Sequence, residues 1–259
     1  MLSRKNAHRS LKATDMSAFE NIIYEISDGI AWITLNRPKA LNAVNTKMRD
    51  ELYEVIPAVK DDPEVRAAII KGAGDRAFSA GADISEFGTA PSQTIAREVR
   101  WERDLWGMFL SIQKPVIAAI GGFALGAGIE MAMCCDIRLA SDNAQFGLPE
   151  ANLGMVPTAG GSQTMPRVIL HGHVSQIVFT ADRIDANEAL RIGLVNQIVP
   201  KEQLLSAAES LARKIMSNNP VALEYAKAAI TRGLDLPLDQ GLEMETRLAS
   251  ILNSQRNRL

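Results

Sequence analysis

"GGFALGAGIEMAMCCDIRLAS", Gly121 to Ser141, decides how this chain is read. It sets one carboxylate, Glu130, directly after a run of glycines and at the head of an otherwise apolar segment. A buried carboxylate is costly unless it is hydrogen-bonded or its pKa moves, so something must compensate Glu130 or use it. With the residues before it, the run "PVIAAIGGFALGAGIEMAMCC" is long enough to span a bilayer. Its clustered glycines and its one acid argue against that, and predict a buried strand, a turn and a buried helix. The two cysteines, Cys134 and Cys135, are adjacent, a poor arrangement for a structural disulfide and an ordinary one for buried reduced thiols. That places the chain in a reducing compartment, the cytoplasm.

Working outward, 259 residues with 47% hydrophobic and 22% charged composition describe a globular chain with room for one large domain and a helical appendage. The formal net charge of -2 offers no basic excess for nucleic acid or an anionic membrane, and neither is expected as a partner. Residues 1–15, "MLSRKNAHRSLKATD", are basic until Asp15 and read as a disordered extension or the product of an upstream start codon. The competing reading, a transit peptide, would move the chain to the mitochondrial matrix. Residues 16–200 carry the core. "NIIYEIS" and "DGIAWITLN" form a predicted hairpin around Asp28-Gly29, and helical spacing at Met48, Leu52, Val55 and Ile56 follows a candidate N-cap, Asn45. "VRAAIIKGAG" is a buried strand, "TIAREVRWERDLWGMFLSIQ" an amphipathic helix, and "CDIRLASDNAQFGLPE" holds two short strands. The resulting α/β rhythm of strand, strand and helix, repeated about three times, fits neither a doubly wound sheet nor an α/β barrel. Residues 201–259 are helical only, with an apolar face at Leu204, Leu205, Ala208 and Leu211 that predicts assembly.

Two elements, "FSAGAD" and "ALGAGIE", put small residues where a strand gives way to a turn or helix. There the backbone can approach a ligand, and unpaired N–H groups at a helix start can make an oxyanion hole; tight packing alone would ask for the same glycines. Neither element fits a phosphate loop or a dinucleotide fingerprint. Ser79 is no nucleophile elbow, because Ala77 replaces the first glycine of G-x-S-x-G. His171 and His173, in "HGH", read as a polar turn between helices with no acid or cysteine beside them, so no metal site is expected. Glu150 follows an apolar strand and a proline and precedes "GMVPTAGG". Alone it could be a solvated loop residue; with Glu130 it makes a candidate acid/base pair.

"LNRPKALNAV", "AFSAGADISEF", "KPVIAAIGGFALGAGIEMAMCCDIRLAS", "AQFGLPEANLGMVPTAGGSQTMPR" and "ADRIDANEALRIGLVNQIVP" together resemble, in order, the signatures of the crotonase (enoyl-CoA hydratase/isomerase) superfamily. The resemblance runs from about Phe19 to the last helix. It implies a crotonase-like spiral of repeated ββα units with a helical C-terminal segment, assembled as a homotrimer or homohexamer. It implies oxyanion donors at Ala82 and Ala127, which hold the thioester carbonyl of an acyl-CoA, and catalytic roles for Glu130 and Glu150. Glu130 would then be offset by a water and by its partner's proton. Ala40 and Leu41, with Ala80, Gly81, Asp83 and Ile84, fall where the family lines the pantetheine and adenine path. No cofactor is implied, since coenzyme A arrives with the substrate.

Three departures qualify this. Ser85 replaces a lysine common after "GADI", Thr158 stands where hydratases usually have a water-holding glycine, and "NSQRNRL" stops short of a terminal helix that many relatives have. The implied reaction is hydration of a 2-enoyl-CoA to a 3-hydroxyacyl-CoA, with Glu130 activating water and Glu150 protonating the α-carbon. A double-bond isomerase, needing one shuttling carboxylate, and a hydrolase sharing the oxyanion hole are the alternatives. A non-catalytic RNA-binding relative is disfavoured by the two acids. Acyl selectivity is expected from Phe87 to Arg100.

Overall fold

The computed structural model describes residues 19–89, 92, 94 and 103–256. The extension expected at 1–15 and most of the stretch expected to set acyl selectivity lie outside the described residues. β1 (Ile22–Ser27) and β2 (Ile30–Leu35) pair antiparallel, and the turn between them has left-handed φ at Asp28 (51°) and Gly29 (82°). Two positive φ values in a two-residue loop match the right-handed twist of the strands, which is why an Asp-Gly pair closes this hairpin. α1 (Thr46–Asp61) starts at Asn45, whose side chain accepts from the Met48 amide. Its inward face is Met48, Leu52, Val55, Ile56 and Val59.

From there the chain winds through repeated units. β3 (Ala67–Gly72) and β4 (Ala77–Ser79) are followed by α2 (Leu105–Leu110); β5 (Val116–Ile120) and β6 (Phe123–Leu125) by α3 (Ala127–Met133); β7 (Ile137–Ser141) and β8 (Gln145–Gly147) by α4 (Gly161–Thr164). The first strand of each pair joins a six-stranded sheet ordered β1-β2-β3-β5-β7-β10, where β10 is Gln197–Val199. The second joins a four-stranded sheet ordered β4-β6-β8-β9, where β9 is Ile184–Asp185. Strands from successive units lie side by side and parallel in both sheets. The expected spiral of ββα units is thus present. Its glycine-rich run contains more than a strand and a helix, because the chain also lays down β6. The corner is Gly122, where a Cβ would sit 2.0 Å from the Arg76 carbonyl oxygen.

Two apolar clusters result. The larger fills the space between the sheets and the helices, with Leu52, Phe78, Phe109 and Phe146 in it. The smaller lies behind the six-stranded sheet, where Ile30, Ile69, Ile117 and Leu139 meet α7 (Leu204–Met216) through Leu204, Ala208 and Ala212. Leu204 and Ala208 are therefore covered within the chain, because α7 is the lid of this second cluster, and only Leu205 of the expected apolar face is exposed. α8 (Pro220–Gly233) and α9 (Leu238–Arg256) complete the helical end. "HGH" is not a turn: with α5 (His171–Thr180) the helix begins at His171, held down by buried Val174 and Ile177. α6 (Ala186–Arg191) follows β9. No helix among the described residues is long and apolar enough to cross a membrane. Cys134 and Cys135 are buried and unbridged, and burial pushes the Cys134 thiol up to about 12.

A buried carboxylate anchors the first strand. Glu51 on α1 accepts from the amides of Glu20 (3.0 Å), Asn21 (2.8 Å) and Ile22 (2.8 Å). Glu51→Ala strips three amides of a charged acceptor and should lower unfolding stability in urea by about 2–4 kcal/mol; a loss under about 0.5 kcal/mol would contradict this role.

Candidate active site

The first turn of α3 is where the site begins. Gly126 has φ 50° and ψ -127°, a conformation closed to residues with a side chain, and it turns the chain from β6 into the helix. Its carbonyl accepts from the Glu130 amide at 3.1 Å. Because a trans peptide points its C=O and N–H in opposite directions, that bond aims the Ala127 N–H backwards, out of the helix start. Ala127 itself is 9% exposed.

A second outward amide lies across from it. Ala82 forms an isolated parallel bridge with Val44, made by Val44 N donating to Gly81 O (2.8 Å) and Asp83 N donating to Val44 O (3.0 Å). These bonds use the neighbours' groups and turn the N–H of Ala82 the other way. The two segments touch: a Cβ on Gly81, which has φ 100°, would lie 3.3 Å from the Ala127 nitrogen. Two outward backbone donors thus lie on touching segments, as an oxyanion hole would need.

The Glu150 side chain reaches the start of α3 and the Glu130 side chain the start of α4, in different environments. Glu130 is 2% exposed, and its Oε1 accepts from the amides of Ala159 (3.0 Å) and Gly161 (2.7 Å). Two amide donors stabilise a carboxylate in a place where water cannot. The backbone of the glycine-rich loop thus supplies part of the compensation that a buried Glu130 needs. Glu150 stands on the 3-10 turn Pro149–Leu153, and its Oε1 is 2.7 Å from where a Cβ on Gly126 would be. Its Oε2 is buried and meets no hydrogen-bond partner among the described residues. Burial holds its carboxyl above the ordinary value of 4.5, against a smaller downward pull from its own backbone amide. One group is met by amide donors and the other is desolvated.

The remaining sequence-derived residues sort by what they touch. Leu41, in left-handed conformation, accepts from the Ala80 amide at 2.9 Å, and Ala40 accepts from Ala43 at 3.0 Å. Each carbonyl keeps a second lone pair for a ligand. Ile84 is 66% exposed beside this path. Asp83 turns its carboxylate inward to Arg37 (2.8 Å) and to Ser85, so only its backbone borders the site. Thr158 is exposed and directly precedes Ala159, one of the donors to Glu130. Ser79 is fully buried and joins the Asn42 carbonyl (2.8 Å) to the Gly81 amide (3.2 Å), a scaffold role. Asn42, also fully buried, went unnoticed in the sequence; it ties Arg37 to the carbonyls of Ala73 and Ala77. The one local hint was its place between the proline turn and the bridge strand. Among the described residues no three His, Cys, Asp or Glu gather as a metal site.

Residues 25–258 match the model of the enoyl-CoA hydratase/isomerase family. The chain belongs to that family. Among its relatives, a short-chain-enoyl-CoA hydratase of Clostridium acetobutylicum is 45% identical, with 87% of each chain covered. A crotonyl-CoA hydratase of Syntrophomonas wolfei is 44% identical over 88% of each. The crystal structure of an enoyl-CoA hydratase from Bacillus anthracis superposes with a TM-score of 0.85 at 36% identity, covering 89% of this chain and 90% of that one. A Thermobifida fusca protein solved in complex with CoA gives a TM-score of 0.88 at 26% identity, covering 97% and 99%. The crotonase fold expected from the sequence is the fold of this enoyl-CoA hydratase/isomerase family member.

The raised Glu150 value carries a pH signature. The folded chain holds that proton more tightly than the unfolded chain, so the stability it contributes is complete below the unfolded value of 4.5 and is lost as pH rises through the raised one. Glu150→Gln does not titrate. Its stability relative to the parent should therefore climb as pH rises above 4.5, measured by chemical unfolding. Parallel pH profiles would contradict the raised value.

Proposed function

We propose that this protein adds water across the 2,3 double bond of a 2-enoyl-CoA thioester to form a 3-hydroxyacyl-CoA, with short acyl chains as its substrates. One observation carries the reading: two outward amides lie on touching segments, Glu150 reaches the turn at Gly126, and Glu130, in the helix that this turn opens, is buried against the amides of Ala159 and Gly161. The names of the relatives, a short-chain-enoyl-CoA hydratase and a crotonyl-CoA hydratase, support the substrate class, as does the fold shared with a CoA complex.

In this reading the thioester carbonyl oxygen lies between the N–H groups of Ala82 and Ala127. Water attacks C3 while Glu130 takes its proton, and the π electrons move onto the carbonyl oxygen as an enolate, which the two amides stabilise. The enolate collapses by taking a proton at C2 from Glu150, whose desolvation keeps that proton in place. Proton exchange with water resets both groups. No cofactor takes part, because coenzyme A comes with the substrate and the protein's carboxyls move both protons. The cytoplasm is the proposed location, in keeping with two buried free thiols.

Replacing either glutamate with glutamine keeps its volume and removes proton transfer. Glu130→Gln and Glu150→Gln should each lower kcat on crotonyl-CoA by roughly 10²-fold or more, with KM little changed. Near-normal hydration by Glu130→Gln would overturn the hydratase reading. Double-bond migration on a 3-enoyl-CoA, followed separately, identifies an isomerase by one dead and one active variant.

The proposal extends to assembly as a homotrimer or homohexamer. Ile230, Leu234, Leu238 and Leu242, on or between α8 and α9, are 66%, 68%, 79% and 53% exposed, which leaves apolar surface for another copy to cover. Light scattering should return three or six chain masses; a monomer across micromolar concentrations would contradict this.

A further inference from the structure

The bridge that aims Ala82 is short. It consists of the two bonds between Val44 and the residues flanking Ala82, at 2.8 and 3.0 Å, and Ala82 itself is exposed at the rim of the site. A peptide plane held by one acceptor bond can rotate, and a misplacement of about 1 Å in a reacting group can cost about 10²-fold in rate. Something beyond the bridge should hold it.

Arg37 is placed to do so. Its Nη1 donates to the Ala43 carbonyl at 2.6 Å and to Asp83 Oδ2 at 2.8 Å. Ala43 precedes Val44 and Asp83 follows Ala82, so one nitrogen staples both strands of the bridge from just outside its own two bonds. The second oxygen of Asp83 accepts from the Ser85 amide at 3.1 Å and from its hydroxyl at 2.7 Å, which fixes the carboxylate from the far side. The Arg37 and Asp83 side chains are 21% and 14% exposed, so solvent screens this pair less than an ordinary surface ion pair. The Ser85 hydroxyl first, then Arg37, holds the Asp83 carboxyl below the usual carboxylate range, so Asp83 stays charged at neutral pH.

We infer that Arg37 and Asp83 are a positioning pair that holds the Ala82 amide in line with the substrate carbonyl. They act through the Val44–Ala82 bridge and do not touch the substrate. The inference rests on the oxyanion role proposed above for Ala82. It competes with a plainer use of a basic side chain on this path, direct contact with a phosphate of coenzyme A.

The two uses separate by experiment. Acetoacetyl-CoA, whose enolate resembles the charged intermediate, and free CoA are titrated calorimetrically into the parent, Asp83→Asn, Arg37→Gln and Arg37→Lys. Asp83→Asn keeps the size of the side chain and its acceptor toward Ser85, and replaces the charged acceptor facing Arg37 with an amide NH2. In the parent, acetoacetyl-CoA should bind much more tightly than CoA. Equal affinities there would remove the oxyanion reading and this inference together. Given that preference, Asp83→Asn and Arg37→Gln should each reduce it about tenfold, leave CoA affinity within about twofold, and lower kcat on crotonyl-CoA in parallel at similar KM. The double variant should be no worse than either single one, since both break one link. Arg37→Lys should recover part of the loss, and it decides the matter with Asp83→Asn if Arg37→Gln does not fold. A preference unchanged in Asp83→Asn and Arg37→Lys would overturn the positioning role alone. So would equal weakening of both ligands, or full activity of the Arg37 variants on a pantetheine thioester lacking the nucleotide phosphates, which would assign Arg37 to phosphate binding.

Discussion

The carboxylate of Glu130 lies inside the protein and is met there by the amides of Ala159 and Gly161. Much of the site is arranged around that contact. It ties α3 to the glycine-rich loop before α4, and it demands small residues on both sides. A Cβ on Gly161 would come within 3.0 Å of the Glu130 side chain, and one on Gly128 within 2.4 Å of the Ser79 carbonyl oxygen. The same residue's amide anchors the Gly126 carbonyl and so aims the Ala127 donor. One residue thus places a buried carboxylate with its side chain while its backbone orients the Ala127 amide.

Chemical difference between the two glutamates comes from their surroundings, since the side chains are identical. Glu130 has two amide donors, whereas Glu150 has a buried oxygen with no partner among the described residues. The proposed hydration would use such a difference, since it asks one acid to accept a proton while the other donates one. Other polar residues nearby serve the scaffold. Asn42, Ser79 and Asp83 hold the loops that carry Ala82, and their buried hydrogen bonds would be costly to leave unmade.

The two-sheet spiral explains why these segments meet. Each unit gives one strand to each sheet, and the chain leaves the second strand toward a turn or helix on a common side. "FSAGAD" ends β4 and "ALGAGIE" ends β6, and those strands are hydrogen-bonded neighbours, so the two amide donors are brought side by side. β8 pairs with β6 on its other edge and delivers Glu150 to the same place. α7 supports the arrangement from behind by covering the far face of the larger sheet.

Much of this was legible in the chain because the signals are local. Asp28-Gly29 closes a hairpin, Asn45 caps a helix, and the apolar runs at β3 and β5 are strands whatever surrounds them. Family resemblance singled out the small residues and the acids. Contacts between distant segments were not legible. Short strands such as β6 and β9 exist only through their partners, and "HGH" begins a helix because Val174 and Ile177 are drawn into the core. The partners of Glu130 lie 29 and 31 residues away, and Arg37 reaches Asp83 across 46. The sequence by itself determined the longer elements and the spiral rhythm and singled out the two acids, since periodicity, turn residues and motifs are properties of neighbours along the chain. Only the tertiary structure decided which carboxyl is met by amides and which is left dry, because desolvation and hydrogen bonding depend on segments that folding alone brings together.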